Sequence, residues 1–256
     1  MDTVSLYNDW QPAEATIDID GVMVNLRCPS KVALGGALGH LIPDNHLFIR
    51  QFCKSPVNYI VDVGANMGAV SILFARAFPQ ALILAIEPVQ VNYECLVHNT
   101  KDFPYITPIK AAVWSEKTKL RIAMPTLEQR PDLMRRYGNA GLFSAYGEDP
   151  KHYELVQADT LDNIIDDKID LLKLDVEGSE LHVLEGAQRT MTKDKPTVII
   201  ELRESNVAMS GHTMQDYTDY FEAMDYRKVG TYLGDIVLRP RKYGKLPTFT
   251  PRRENG

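Results

Sequence analysis

Cysteine is scarce: Cys28, Cys53 and Cys95 are the three in 256 residues, odd in number and widely spaced. That excludes a disulfide framework, and the absence of C-x-x-C gives no zinc site. A reduced, cytoplasmic setting is expected. No apolar run approaches the roughly 18 residues of a membrane span, so none is expected. The opening MDTVSLYNDW lacks a basic region followed by an apolar one and does not read as a signal peptide. Basic excess is missing too. The net charge is −6, which disfavours a nucleic-acid partner. No G-x-S-x-G elbow is present, which disfavours a serine hydrolase. The six histidines include no H-x-x-x-H pair. Each reads as a surface or core residue, with His152 the best exception.

What the chain does have is an apolar share of 45 %, ample for the core of one α/β domain with decorations. Residues 59–88, YIVDVGANMGAVSILFARAFPQALILAIEP, carry the most information. Ile60, Val61 and Val63 make a buried strand. Asp62, Gly64, Ala65, Asn66 and Gly68 make a tight turn at its end. Ala69 to Ala77 is an apolar helix stopped by Pro79, and Ala81 to Ile86 a second strand ending in Glu87 and Pro88. Open α/β sheets bind ligands outside their strand carboxyl ends. An acid ending the second strand suits the two hydroxyls of a ribose. Asn66 stands where a dinucleotide site would need its second glycine. Asp62 would repel a phosphate but can pair with an ammonium. A ligand with a ribose at one end and an ammonium at the other is S-adenosylmethionine.

Three further blocks, 91–99 (VNYECLVHN), 111–115 (AAVWS) and 170–187 (DLLKLDVEGSELHVLEGA), follow in order. With the turn, they resemble the FkbM-type family of S-adenosylmethionine-dependent methyltransferases, the last matching its motif K-x-D-x-E-G-x-E. The similarity runs from about Tyr59 to about Leu202. It implies a Rossmann-like class I methyltransferase sheet, mostly parallel with a terminal antiparallel hairpin, behind an N-terminal extension. It also implies O-methyl transfer to a small molecule, with a carbohydrate or glycosylated metabolite the best acceptor. The alternatives are a nicotinamide-dependent oxidoreductase and a catalytically silent nucleoside-binding module.

The expected organisation is an extension over 1–55, a methyltransferase domain over 56–240 and a basic, Pro-rich tail over 241–256. Residues 15–28 read as a hairpin about Asp20-Gly21. Residues 31–42, with Gly35, Gly36 and Gly39, read as a flexible connector or a hinge over the cofactor. A helix is expected over 44–54, with Asp44 as its cap. Strands are expected over 106–114 and 119–124. Residues 125–153 have no clear pattern but are rich in Tyr, Phe, Leu and Arg, and are expected to form a lid facing the acceptor. Beyond them come a helix over 179–190, a strand over 197–202, and a closing hairpin joined by 230–234.

Asp175 and Glu201 end the fourth and fifth strands, beside the expected methyl group. Lys173 shares the strand face of Asp175. Its buried charge requires a partner, Asp175 or Glu201. These three are the catalytic candidates, with a carboxylate acting as base or as ligand of a divalent cation such as magnesium. Asp62, Gly64, Ala65, Asn66, Gly68, Glu87, Pro88 and Asp175 are the cofactor candidates. Glu177, Asn139, Ser144 and His152 are those for the acceptor.

Overall fold

Short runs of Ile, Val and Leu buried on both faces are what a parallel sheet asks of its central strands. The computed structural model describes residues 12–19, 21–42, 45–54, 56–123, 145 and 153–243. The chain opens with an antiparallel hairpin, β1 (Ala13–Ile19) and β2 (Val22–Cys28), then helices α1 (Lys31–His40) and α2 (Asn45–Phe48). β3 (Tyr59–Val63), α3 (Ala69–Ala77), β4 (Leu82–Ile86), α4 (Gln90–Thr100) and β5 (Ile106–Ile109) alternate. β6 (Ala112–Val113), β7 (Thr118–Ala123) and β8 (Tyr153–Asp159) form a separate small sheet. Next come α5 (Leu161–Ile164), β9 (Leu171–Leu174), α6 (Glu180–Glu185), β10 (Thr197–Ile200) and α7 (Glu204–Met209). α8 (Met214–Ala223), β11 (Tyr226–Tyr232) and β12 (Asp235–Pro240) follow.

The main sheet has the order β11-β12-β10-β9-β3-β4-β5. Five adjacent strands, from β10 to the edge strand β5, are parallel, and β12 enters antiparallel to β10, paired with β11. This is the mostly parallel sheet with a terminal antiparallel hairpin that the sequence implies. Val61, Leu172 and Val198 point to one face, packed on α6 and α8. Ile60, Leu171 and Ile199 point to the other, where Ile19, Leu26, Ile49 and Phe52 of the extension join the same core. Asp62 and Lys173 are register partners on this second face.

Several expectations change. Residues 31–40 are a helix, not a flexible connector: the Ser30 hydroxyl caps it by accepting from Ala33 N–H at 3.1 Å, and Ala33 and Ala37 are buried. The strand expected over 106–114 splits, because the chain leaves the main sheet after Ile109 and joins β8 at Ala112. The regular helix after Gly178 ends at Glu185. The last hairpin turns on Leu233 and Gly234, at φ 54° and 100°, the positive pair of a two-residue turn. Gly230 lies inside β11 at a bulge, where a Cβ would stand 2.5 Å from the Phe52 ring. The 125–153 lid lies outside the described residues except Ala145 and Tyr153, and Tyr153 opens β8. Asp44 and the tail from 244 also lie outside them. No described helix is long and apolar enough to cross a membrane.

Asn99 ties the extension to the sheet. Its Oδ1 accepts from Arg27 N–H at 2.6 Å, and its Nδ2 donates to Arg27 O at 2.9 Å and Met67 O at 2.8 Å. The buried amide thus pairs β2 as a neighbouring strand would, and grips the glycine turn from the same atom group. Replacing Asn99 by Leu removes three hydrogen bonds and leaves buried peptide groups unpaired. We expect a loss of roughly 3 kcal/mol, read as a lower denaturant midpoint; an unchanged midpoint would show that the amide carries no stability.

Candidate active site

Parallel strands β3 and β4 end side by side, and the turn after β3 folds onto the end of β4. Gly64 and Ala65 N–H both donate to Ile86 O at 3.0 Å. Gly64 has φ +80°, and a Cβ on it would lie 1.8 Å from the carbonyl oxygen of Asp175. The glycine is therefore required by the chain's own backbone as well as by its conformation. Gly68, at φ +85°, opens α3. Asn66, at φ 51°, donates its N–H to Glu87 Oε2 at 2.9 Å, and Val89 N–H donates to Oε1 at 2.9 Å. Glu87 therefore stands against the turn with both oxygens fixed. Burial pushes its carboxyl up to about 7, against the hydrogen bonds from Val89, Asn66 and the Asn92 side chain. Pro88 follows, half-buried.

Asp62 lies fully buried beneath the turn, where Ser71 Oγ donates to its Oδ2 at 2.6 Å. Among the described residues its Oδ1 has no hydrogen-bond partner. Burial raises its pKa, opposed by Lys173 and Ser71.

The segment K-x-D-x-E-G-x-E becomes a charged turn at the end of β9. Lys173, 3 % exposed, gives its ammonium to Asp175 Oδ2 at 2.8 Å. Of the two partners open from sequence, the structure selects Asp175. Burial works against the Asp175 charge, but Lys173 outweighs it and holds the carboxyl below its ordinary range. Glu201 pairs instead with Arg203 at 2.6 Å. Glu177, at φ 53°, accepts from Asn206 Nδ2 at 2.7 Å. Gly178, at φ +102°, passes so close to Asn206 that a Cβ would stand 2.5 Å from its carbonyl oxygen. Glu180 holds the turn by accepting from Val176 N–H at 3.0 Å and Gly178 N–H at 3.3 Å.

Burial and the Asp175 charge push Glu177 up to about 8. Burial, then Asp175 and Glu177, push Glu201 up to about 9. Asp235, which opens β12 next to the Ile236–Ile200 pair, is raised to about 6 by burial against the pull of Lys173. The site thus brings together Asp62, Gly64, Asn66, Glu87, Lys173, Asp175, Glu177 and Glu201. Arg203, Asn206 and Asp235 join them unannounced by the sequence pattern, though R-E-S-N follows the fifth strand directly. His40 also reaches Lys173 and Asp175 electrostatically. Asn139, Ser144 and His152 lie outside the described residues.

One oxygen from each of Asp175, Glu177 and Glu201 lies within 4.8 Å of the others. A hard divalent cation takes such donors. Here, however, Lys173 and Arg203 are already bonded to two of the three, and Asn206 to the third. That is a poor fit for magnesium.

The family profile "Methyltransferase FkbM domain" matches residues 62–228, about two thirds of the chain. The chain belongs to the FkbM methyltransferase family. The match begins at Asp62 of the glycine turn, so β1, β2 and α1 precede the matched part of this FkbM protein. "Methyltransferase sdnD" of Sordaria araneosa is 29 % identical over 174 residues, covering 57 % of this chain and 66 % of that one. Among solved structures, methyltransferase FkbM from Methylobacillus flagellatus KT is 17 % identical with a TM-score of 0.47, covering 92 % of this chain and 57 % of that chain. M. jannaschii TYW2, in complex with AdoMet, is 15 % identical with a TM-score of 0.42, covering 89 % and 84 %. The chain therefore spans less than two thirds of the length of the first two relatives.

Raised carboxyls make stability depend on pH. Glu87, Glu177 and Glu201 sit above the ordinary 4.5 at about 7, 8 and 9. Each favours the fold fully below the unfolded value and loses that contribution as pH rises through the folded one. The melting temperature of the ligand-free protein is expected to fall between about pH 5 and about pH 9, and Glu201→Gln to flatten the slope. A melting temperature that rises over that interval would contradict the electrostatic picture.

Proposed function

We propose that this FkbM methyltransferase uses S-adenosylmethionine and methylates a hydroxyl of a small molecule, a sugar or a glycosylated metabolite. The observation that carries the donor half is Glu87, whose two oxygens are fixed at the end of β4 against a glycine turn. Ribose hydroxyls suit those oxygens, with Gly64, Ala65, Asn66, Gly68 and Pro88 lining the approach and Asp62 beneath. Family membership removes the nicotinamide oxidoreductase from consideration.

S-adenosylmethionine supplies a methyl group already activated on a sulfonium, which the acceptor oxygen displaces in line. The chain has two tasks: to align the acceptor and to manage the hydroxyl proton. The closeness of Gly64 to the Asp175 carbonyl supports a donor turn and acid cluster sharing one crevice. Asp175, kept ionised by Lys173, accepts the hydrogen bond of the attacking hydroxyl. Glu201, raised to about 9 by burial and the neighbouring acids and bonded to Arg203, lies beside it as a second polar contact for the acceptor. Neutral polyols, which both donate and accept, fit this mixture better than anions.

The deciding experiment is transfer of labelled methyl to a panel of sugars and glycosides, with and without magnesium. Label transfer to none, with S-adenosylhomocysteine still bound, would favour the silent binding module. For Glu87→Ala we expect at least tenfold weaker S-adenosylhomocysteine binding by calorimetry, since hydrogen bonds to a charged group contribute about 1.5–3 kcal/mol. Unchanged affinity would remove Glu87 from the donor site. For Asp175→Asn we expect turnover to fall about a hundredfold or more, donor affinity to persist, and the melting temperature to drop because Lys173 stays buried without its carboxylate. Full turnover would take Asp175 out of the chemistry.

A further inference from the structure

Each residue of the donor turn from Gly64 to Gly68 is held in place, and one of the holds runs to the extension. Gly64 and Ala65 N–H donate to Ile86 O, and Asn66 N–H to Glu87 Oε2. Gly68 N–H donates to Ala65 O at 2.8 Å, and Gly68 lies so close to α4 that a Cβ would stand 2.7 Å from Leu96 Cδ1. Met67 O accepts from Asn99 Nδ2. The same nitrogen donates to Arg27 O of β2, and Asn99 Oδ1 accepts from Arg27 N–H. An asparagine amide turns readily about its last torsion. Three bonds fix its rotation, and two of the three come from β2. The strand therefore sets the direction in which Nδ2 meets the donor turn. The Met67 side chain, 8 % exposed, rests on the same element group. It packs with Cys28 of β2 and with Ala33 and Ala37 of α1 in one buried cluster. Backbone and side chain of one turn residue thus both lean on the extension, next to Asn66, whose N–H holds Glu87.

We propose that Asn99 and Met67 are positioning residues of the donor site, through which docking of the N-terminal extension and binding of S-adenosylmethionine strengthen each other. The proposal rests on the S-adenosylmethionine reading above. Neither residue has to touch the ligand. A shift of Met67 passes through one peptide to Asn66, whose N–H fixes Glu87 Oε2, and through the next to Gly68, which opens α3. Hydrogen bonds weaken steeply as their geometry leaves the ideal, so a turn that drifts binds its ligand less well. Coupling between two sites is reciprocal: what the docked extension does for the ligand, the ligand does for the docked extension. A ligand that keeps Asn66 and Glu87 together keeps Met67 O at Asn99, and the amide then keeps its grip on β2. The extension precedes the residues that the family profile matches, so the support reaches the donor turn from outside the matched region. An amide with a merely structural role would lower stability equally with and without ligand and would leave affinity alone.

Calorimetry with S-adenosylhomocysteine tests this on variants whose circular dichroism shows them folded. Asn99→Asp keeps the acceptor of Arg27 N–H but sets an oxygen against the carbonyls of Arg27 and Met67. Ala37→Leu, in the extension, overfills the cluster around Met67. Each is expected to weaken binding about tenfold, within the usual range of coupling between sites. Asp162→Ala serves as control. It also loses three hydrogen bonds, from Arg189 N–H, Thr190 N–H and Thr190 Oγ1, beside Leu161 in the core of the opposite face. It should lower the melting temperature and leave affinity unchanged. Equal weakening in the control would reduce the effect to general stability and overturn the proposal, as would unchanged affinity in both test variants. Amide exchange on the unaltered protein needs no variant. S-adenosylhomocysteine should slow exchange at Arg27 N–H about tenfold more than at Thr190 N–H. Equal slowing at both, or none at either, would overturn the coupling. If the unaltered protein binds no S-adenosylhomocysteine, the donor reading fails and the proposal falls with it. Binding that ignores both test variants defeats the proposal and leaves that reading standing.

Discussion

One buried ammonium sets the electrostatics of this site. Lys173 stands in the middle of the sheet, where an unpaired charge is prohibitive, and Asp175, Asp62 and Asp235 all raise its pKa against burial. Its presence decides which carboxylate stays charged. Asp175 binds it and remains ionised, while Glu177 and Glu201, close by but without it, are driven towards the neutral form. One cation thereby separates neighbouring acids into an acceptor of hydrogen bonds and donors of them. Deleting the charge would leave several carboxylates crowded together, and most would take up protons.

The legible part of the sequence is the part where local pattern and function coincide. β3, its glycine turn, α3 and Glu87 fall where residues 59–88 predict, because buried parallel strands are continuous apolar runs and the turn between them needs positive φ at Gly64 and Gly68. Lys173 and Asp175 were legible as a pair because alternate strand residues share a face. What resisted reading was tertiary. α1 looks like a connector because three glycines lower its helix propensity, and its Ser30 cap and its packing on the hairpin, α3 and Met67 hold it. Nothing local in Ile109 or Ala112 marks a change of sheet. Arg203 and Asn206 belong to the site through loop geometry, which no spacing rule encodes.

The part before the family match is not an ornament. Its hydrophobic residues lie in the same core cluster as the strands of the sheet, and Phe52 fills the space left by Gly230 at the bulge of β11. A bulge with glycine in a strand often marks another group approaching closely, and here that group comes from the extension. The hairpin braces the donor turn from one side while β9 presses on it from the other.

The amide of Asn99 has a further consequence in time. It closes contacts across 72 and 32 residues of chain, to Arg27 and to Met67. Contacts so distant in sequence are slow to form. During synthesis the hairpin emerges long before the side chain that will hold it, and Asp235 emerges later still. The nascent chain therefore carries an undocked hairpin until α4 has appeared, and its charged crevice is completed only when the last strand of the main sheet leaves the ribosome.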